Sequence, residues 1–137
     1  MSEGGSRDIV RRYFQYWNEG RMDDLQNLLD DDFKLLGMGT PLSGMNHVVS
    51  KQQLRDSTQK RANQFSKPIT IMIDDIVGDG DHVVVQCRSS ARLADGRDYA
   101  NNYSFHFHLK NQKITQMEEY CCTYTAVKVL RESGVGL

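Results

Sequence analysis

From Arg97 to Thr125 the chain reads RDYANNYSFHFHLKNQKITQMEEYCCTYT, and its apolar residues fall on alternate positions. Tyr99, Tyr103, Phe105, Phe107 and Leu109 share one side, and Asn101 is the polar residue that interrupts them. A period of two belongs to a strand with one buried face, so the segment predicts a long strand packed on one side. The polar tetrapeptide Lys110-Asn111-Gln112-Lys113 suits a hairpin loop, after which Ile114 opens a second strand able to pair antiparallel with the first. This pair is read as the floor of a pocket.

The remaining pattern supplies the cover. Ser6 is a candidate helix cap with Asp8 in the first turn, and Val10, Tyr13, Phe14 and Trp17 follow at i, i+3, i+4 and i+7 as one apolar stripe. Gly20 ends that helix, and a shorter one follows with Met22, Leu25, Leu28 and Leu29 inward. The run Asp30-Asp31-Asp32 opposes the dipole at a helix C-terminus, so the second helix is expected to stop there in a solvated turn. Phe33 to Met38 reads as a short strand, and GMGTPLSGMN as a loop or a weakly paired hairpin. Ser50 and Gln53 have the spacing of a capping box for a third helix with a sparse stripe of Leu54, Thr58, Ala62 and Phe65, and Pro68 prevents its continuation. Ile69 to Val77 and Asp81 to Leu93 are strands, separated by turns at Gly78-Asp79-Gly80 and Ala94-Asp95-Gly96. Helices set apart from an antiparallel meander define an α+β fold.

At 137 residues and 39% hydrophobic content, the chain suits one domain with one core. Residues 1–5, MSEGG, have nothing to bury and are expected to be disordered, and 131–137 are expected to be a flexible C-terminal tail. A net charge of -1 offers no excess of cations for a phosphate backbone, which argues against nucleic acid as a partner. No apolar run reaches the roughly 20 residues of a membrane span, and the polar start lacks the apolar core of a signal peptide. Cys87, Cys121 and Cys122 form neither a disulfide framework nor a zinc spacing, so a cytoplasmic location is expected.

Three segments, residues 10–33 (VRRYFQYWNEGRMDDLQNLLDDDF), 95–114 (DGRDYANNYSFHFHLKNQKI) and 115–123 (TQMEEYCCT), resemble the nuclear transport factor 2-like superfamily, in particular its SnoaL-like branch of polyketide cyclases and related ketosteroid isomerase-like proteins. The resemblance implies a single domain over residues 6–130 in which a curved antiparallel sheet wraps around the N-terminal helices as a cone-shaped α+β barrel with an apolar cavity. It also implies a homodimer formed through the outer face of the sheet. The fold hosts isomerases, cyclases, epoxide hydrolases, dehydratases and binding subunits, so activity must be sought in individual residues.

Tyr13 matches a tyrosine whose hydroxyl stabilises an enolate oxygen in the steroid isomerases of the superfamily. Their carboxylate base falls at or near Gly37, and their second oxyanion donor near Phe105. The cyclases and limonene epoxide hydrolase-like proteins often carry Tyr-x-Asp at the end of the last strand, where this chain has Tyr120-Cys121-Cys122. The hydrolases' Arg-x-Asp pair corresponds to Arg88-Ser89-Ser90, again without the acid.

Tyr13, Asn101 and Glu119 are therefore the candidate catalytic residues. Glu119 shares a strand face with Met117 and Cys121; it is either an exposed strand glutamate or, in an apolar pocket, a carboxyl that would bind its proton more tightly. Asn101 would contact either a ligand carbonyl or a neighbouring strand. The expected ligand pocket comprises Tyr13, Trp17, Phe33, Leu35, Asn101, Tyr103, Met117 and Cys122, with no Arg or Lys. A small apolar ring or carbonyl compound is the expected partner, and no cofactor is called for. His106 and His108 lie on the opposite face and could chelate together, but no third ligand is evident, so no metal is expected.

Overall fold

The computed structural model describes residues 5–135; the expected disorder of residues 1–4 and the last two residues of the expected tail lie outside them. Helix α1 (Ser6–Glu19) and helix α2 (Met22–Asn27) precede strands β1 (Leu29–Gly37) and β2 (Val48–Ser50). Helix α3 (Lys51–Arg61) is followed by β3 (Phe65–Asp79), β4 (His82–Leu93), β5 (Asp98–Lys110), β6 (Lys113–Cys121) and a short helix α4 (Thr123–Ala126). The six strands form one curved sheet in the order β2-β1-β6-β5-β4-β3. The sheet is open: β2 and β3 are its edges, so the expected cone is not a closed barrel. All ladders are antiparallel except β1 with β6, where Leu35 pairs with Met117 and Gly37 with Glu119.

The alternation that predicts β5 is reproduced by its burial. Phe105, Phe107 and Leu109 are buried on the concave face, where Ile9, Val10, Tyr13 and Phe14 of α1 pack against the sheet. Phe14 meets the rings of Phe105 and Phe107 with centroids 5.6 Å away. The hairpin from β5 to β6 turns on Asn111 and Gln112, both at positive φ (52° and 63°), the handedness that matches the twist of the flanking strands. Near the end of β3, Gly78 sits at φ 102°, and a Cβ there would collide with the His82 carbonyl, so only glycine fits.

Several boundaries differ from expectation. Gly5, not Ser6, occupies the α1 cap position, and the Ser6 hydroxyl donates instead to the Gly80 carbonyl. Helix α2 ends at Asn27, so Leu29 enters the core from a strand and the acidic run lies in β1. Pairing with β6 shifts register between Leu29 and Lys34, which lets Asp30-Asp31-Asp32 bulge into solvent while Leu29 and Phe33 stay buried. The capping box is present: Gln53 N–H donates to Ser50 Oγ at 3.1 Å and Ser50 N–H to Gln53 Oε1 at 2.9 Å. That helix nevertheless stops at Arg61, and Phe65 already pairs with Leu93. Pro68 lies inside β3, where an edge strand tolerates its missing N–H. Past β6 the chain turns helical, and Leu130 and Val135 are buried with Leu93 and Tyr99, so packing continues beyond residue 130.

The end of α1 is fastened to edge strand β3 by side chains that imitate a neighbouring strand. Asn18 donates to the Ile71 carbonyl at 2.9 Å and accepts its N–H at 2.8 Å, while Trp17 Nε1 donates to the Ile69 carbonyl at 3.0 Å. Replacing Asn18 by Ala removes two bonds and leaves the Ile71 groups without these partners, so it should cost about 1–2 kcal/mol in urea unfolding. An unchanged unfolding midpoint would mean that apolar packing alone holds α1.

Candidate active site

A cavity of about 750 Å³ lies between the concave face of the sheet, α1, α3 and the C-terminal helical segment. Its inner wall is apolar: Tyr13, Phe14 and Trp17 come from α1, and Leu35, Phe105 and Met117 from neighbouring strands. Because alternate residues of β6 face the same way, Met117, Glu119 and Cys121 all line it. The lining also includes Arg61 and Lys60 of α3, His47, Tyr99 and Tyr103.

Glu119 is the chemically unusual group. Its side chain accepts no hydrogen bond among the described residues, and no buried polar atom there lacks a partner, so the carboxyl oxygens open to the cavity. Removal from bulk water raises its pKa to about 7, and the Arg61 charge opposes the rise. The group therefore exchanges a proton near neutrality. Tyr13 is buried on α1, and its hydroxyl likewise has no protein partner among the described residues. Burial first, and the Glu119 charge second, hold the Tyr13 phenol above its ordinary pKa, which makes it a neutral hydrogen-bond donor.

Two tyrosines of the lining are held by the protein. Tyr103 stacks on Phe105 with centroids 5.3 Å apart, and its hydroxyl lies 3.0 Å from both Ser89 Oγ and Tyr99 Oη. Burial, above all, raises the pKa of both tyrosines. Desolvation, followed by the Arg61 charge, lowers the His47 pKa, so the ring favours its neutral form. Burial lowers the pKa of Arg61, while the Glu119 charge acts in the opposite direction.

Of the expected pocket, Tyr13, Trp17, Leu35, Tyr103 and Met117 line the cavity, and three other residues do not. Phe33 is sealed in the core at 1% exposure. Asn101 donates to Tyr99 Oη at 2.8 Å and to the Cys122 carbonyl at 3.1 Å, and it accepts the N–H groups of Asn102 and Cys122 at 2.8 and 3.2 Å. Both of its donors and its carbonyl are thus engaged, so this carboxamide fixes the turn out of β6 and has no donor left for a ligand. Cys122 is exposed and accepts from Thr125; Cys121 takes the inward position, and burial raises its thiol to about 12. The expectation of a lining without Arg or Lys is overturned by Arg61 and Lys60. Arg61 lies seven residues after the buried Leu54, a helical spacing that places both on one face.

Gly37 leaves room for His47: a Cβ at Gly37 would lie 2.9 Å from both His47 Cε1 and the Met45 carbonyl. The strand neighbour of Gly37 is Glu119, so a carboxyl stands beside this glycine on the adjoining strand. On the convex face, His106 and His108 are joined by His82, whose ring contacts His106 at 3.1 Å and stacks on His108 at 4.8 Å. Among the described residues, no three His, Cys, Asp or Glu side chains are arranged to hold a metal ion.

The family model for the SnoaL-like domain matches residues 10–117, and the chain belongs to that family. No curated protein matches the sequence. Three solved structures show the same fold at low identity. An NTF2-like protein of unknown function from Burkholderia pseudomallei is 13% identical over 94% of this chain and 98% of its own, with a TM-score of 0.79. PrhC from Penicillium brasilianum is 12% identical over 92% and 85%, with a TM-score of 0.80. An LEH-like epoxide hydrolase from M. tuberculosis is 14% identical over 91% and 88%, with a TM-score of 0.72.

Because burial favours the neutral form of Glu119, its effect on stability has a definite sign. The folded protein binds the proton more tightly than the unfolded chain, so stability is lost as pH rises from about 4.5 toward 7 and stays reduced above that. Glu119→Gln removes this loss. The variant should melt at the same temperature as the parent at pH 4 and several degrees higher at pH 8, as read by circular dichroism; parallel profiles would show an ordinary, solvated carboxylate.

Proposed function

We propose that this protein binds a small, mainly apolar ring or carbonyl compound in its cavity and moves a proton on it, as an enzyme of the cyclase or isomerase type. Glu119 is the group that takes and returns the proton, and the Tyr13 hydroxyl polarises the oxygen on which charge develops. The observation that carries this reading is a carboxyl, titrating near neutrality, in an apolar recess it shares with a phenol, neither with a hydrogen-bond partner among the described residues. A general base with a pKa near the working pH contributes about 10²–10⁴-fold, and an oxyanion donor can add a similar factor. The cavity of about 750 Å³ is of a size that encloses a compound of a few rings.

Epoxide opening, the chemistry named for the M. tuberculosis protein of like fold, is not favoured. It needs a paired acid and base, and serine and cysteine stand at positions 90 and 122. A second reading, binding without chemistry, is supported by the same missing acids and by the way His47 fills the space at Gly37. A homodimer formed through the convex sheet face belongs to the proposal, supported by the half-exposed Met72, Val77 and Tyr120. So does a cytoplasmic location, supported by three free cysteines. Among the described residues, no helix is long and apolar enough to cross a membrane.

The two readings separate in a hydrogen-exchange assay that does not require the natural substrate. With 2-tetralone in D₂O, the parent protein should accelerate exchange at the α-carbon as followed by proton NMR. Glu119→Gln should reduce the acceleration at least about 100-fold and Tyr13→Phe about 10-fold or more. Binding of the ketone without accelerated exchange would favour the non-catalytic reading.

A further inference from the structure

Arg61 is the cation that the apolar reading of the cavity does not use. It closes α3 and lines the cavity together with Glu119 and His47. Among the described residues it belongs to no ion pair, and the only hydrogen bond of its side chain is the weak one from Nε to the Ser57 carbonyl of its own helix, at 3.4 Å. Two exposed arginines are treated differently. Arg88 grips Asp74 with two nitrogens, and Arg21 bridges Glu19 and Asp24. Arg61, which lines the cavity, has no such carboxylate among the described residues.

A guanidinium does not shed its proton at neutral pH, so Arg61 remains a cation where water is scarce, an arrangement that is costly until an anion is supplied. Glu119 does not supply it in full, because burial raises its pKa to about 7 and its carboxyl is only partly ionised near neutrality. The rim does not supply it either: Asp56 and Lys60 are both exposed and offset one another. The site has one half-buried cation against largely apolar walls, which suits a monoanion on a ring. A phosphate dianion would leave charge unmet.

We propose that Arg61 is the oxyanion-binding residue of the cavity and that the ligand is a ring compound bearing one carboxylate or acidic enol, whose anionic oxygen sits on Arg61 while the ring fills the apolar wall. This deepens the proposed function and rests on the cavity being the ligand site. It does not depend on Glu119 carrying out chemistry. A planar guanidinium with several donors favours such an oxygen over a neutral carbonyl, and a charge-assisted bond in a water-poor site is the stronger kind.

The test is calorimetric titration of 2-naphthoate and its neutral counterpart 2-acetonaphthone into the parent, Arg61→Gln and Arg61→Lys, each checked for folding by circular dichroism. The parent should bind naphthoate at least about 10-fold more tightly than the ketone, the increment expected of one charge-assisted bond. Arg61→Gln should abolish that preference while changing ketone affinity less than about 2-fold, and Arg61→Lys should keep part of it. Equal binding of the two compounds by the parent, or a preference that survives in Arg61→Gln, would overturn the role of Arg61 and leave the cavity as a ligand site. Failure of both compounds to bind the parent would overturn the cavity reading and this inference together.

Discussion

A carboxyl group on an apolar sheet face must be neutralised, paired or hydrated, and the surroundings of Glu119 favour the first. Its strand lies in the middle of the sheet, parallel to β1 and antiparallel to β5, so the backbone cannot move to relieve it without breaking two ladders. The side chain projects beside Met117 and Cys121 into the cavity, and the nearby phenols are not bases. Keeping the proton into the neutral range is the response available. The acid–base character of the site thus follows from ordinary strand alternation placing one glutamate on the wrong face for a charge.

The rest of the architecture maintains that condition. Helix α1 covers the concave face and is tied to β3 through Asn18 and Trp17, which keeps the Tyr13 side chain over the sheet. Asn101 fixes the backbone of Cys122 where β6 gives way to α4, and the segment that follows brings Ala126 and Leu130 to the cavity wall. The same side chain that was a candidate for ligand contact therefore shapes the end of the cavity. Gly37 makes room for His47, and Glu119 lies beside it on the neighbouring strand.

Local pattern announced the elements whose burial is periodic. The alternating aromatics of β5 and the i, i+3, i+4, i+7 stripe of α1 can each be read because one face of each element is buried along its length. The start of β1 could not be read in this way, because the register shift at the acidic run hides the strand period behind a bulge. Pro68 gave a misleading signal: it marks a helix boundary in isolation, yet the sheet edge accommodates it in β3. At the site, Glu119 was legible from its position two residues from Met117 and two from Cys121. Arg61 was not, since a cation at the end of a polar helix looks like solvated surface until the fold brings that helix over a cavity. Asn101 was legible as a buried amide but not in its partner, because Cys122 reaches it only through the pairing of β5 with β6.

The central claim is that burial sets the protonation of one carboxyl. Carbon-13 NMR of protein labelled at the glutamate side-chain carboxyl, with the Glu119 resonance assigned by its loss in Glu119→Gln, reports that protonation directly as pH is varied. The account predicts a midpoint near 7 for Glu119. A midpoint between about 4 and 5, the range of a solvated glutamate, would contradict it.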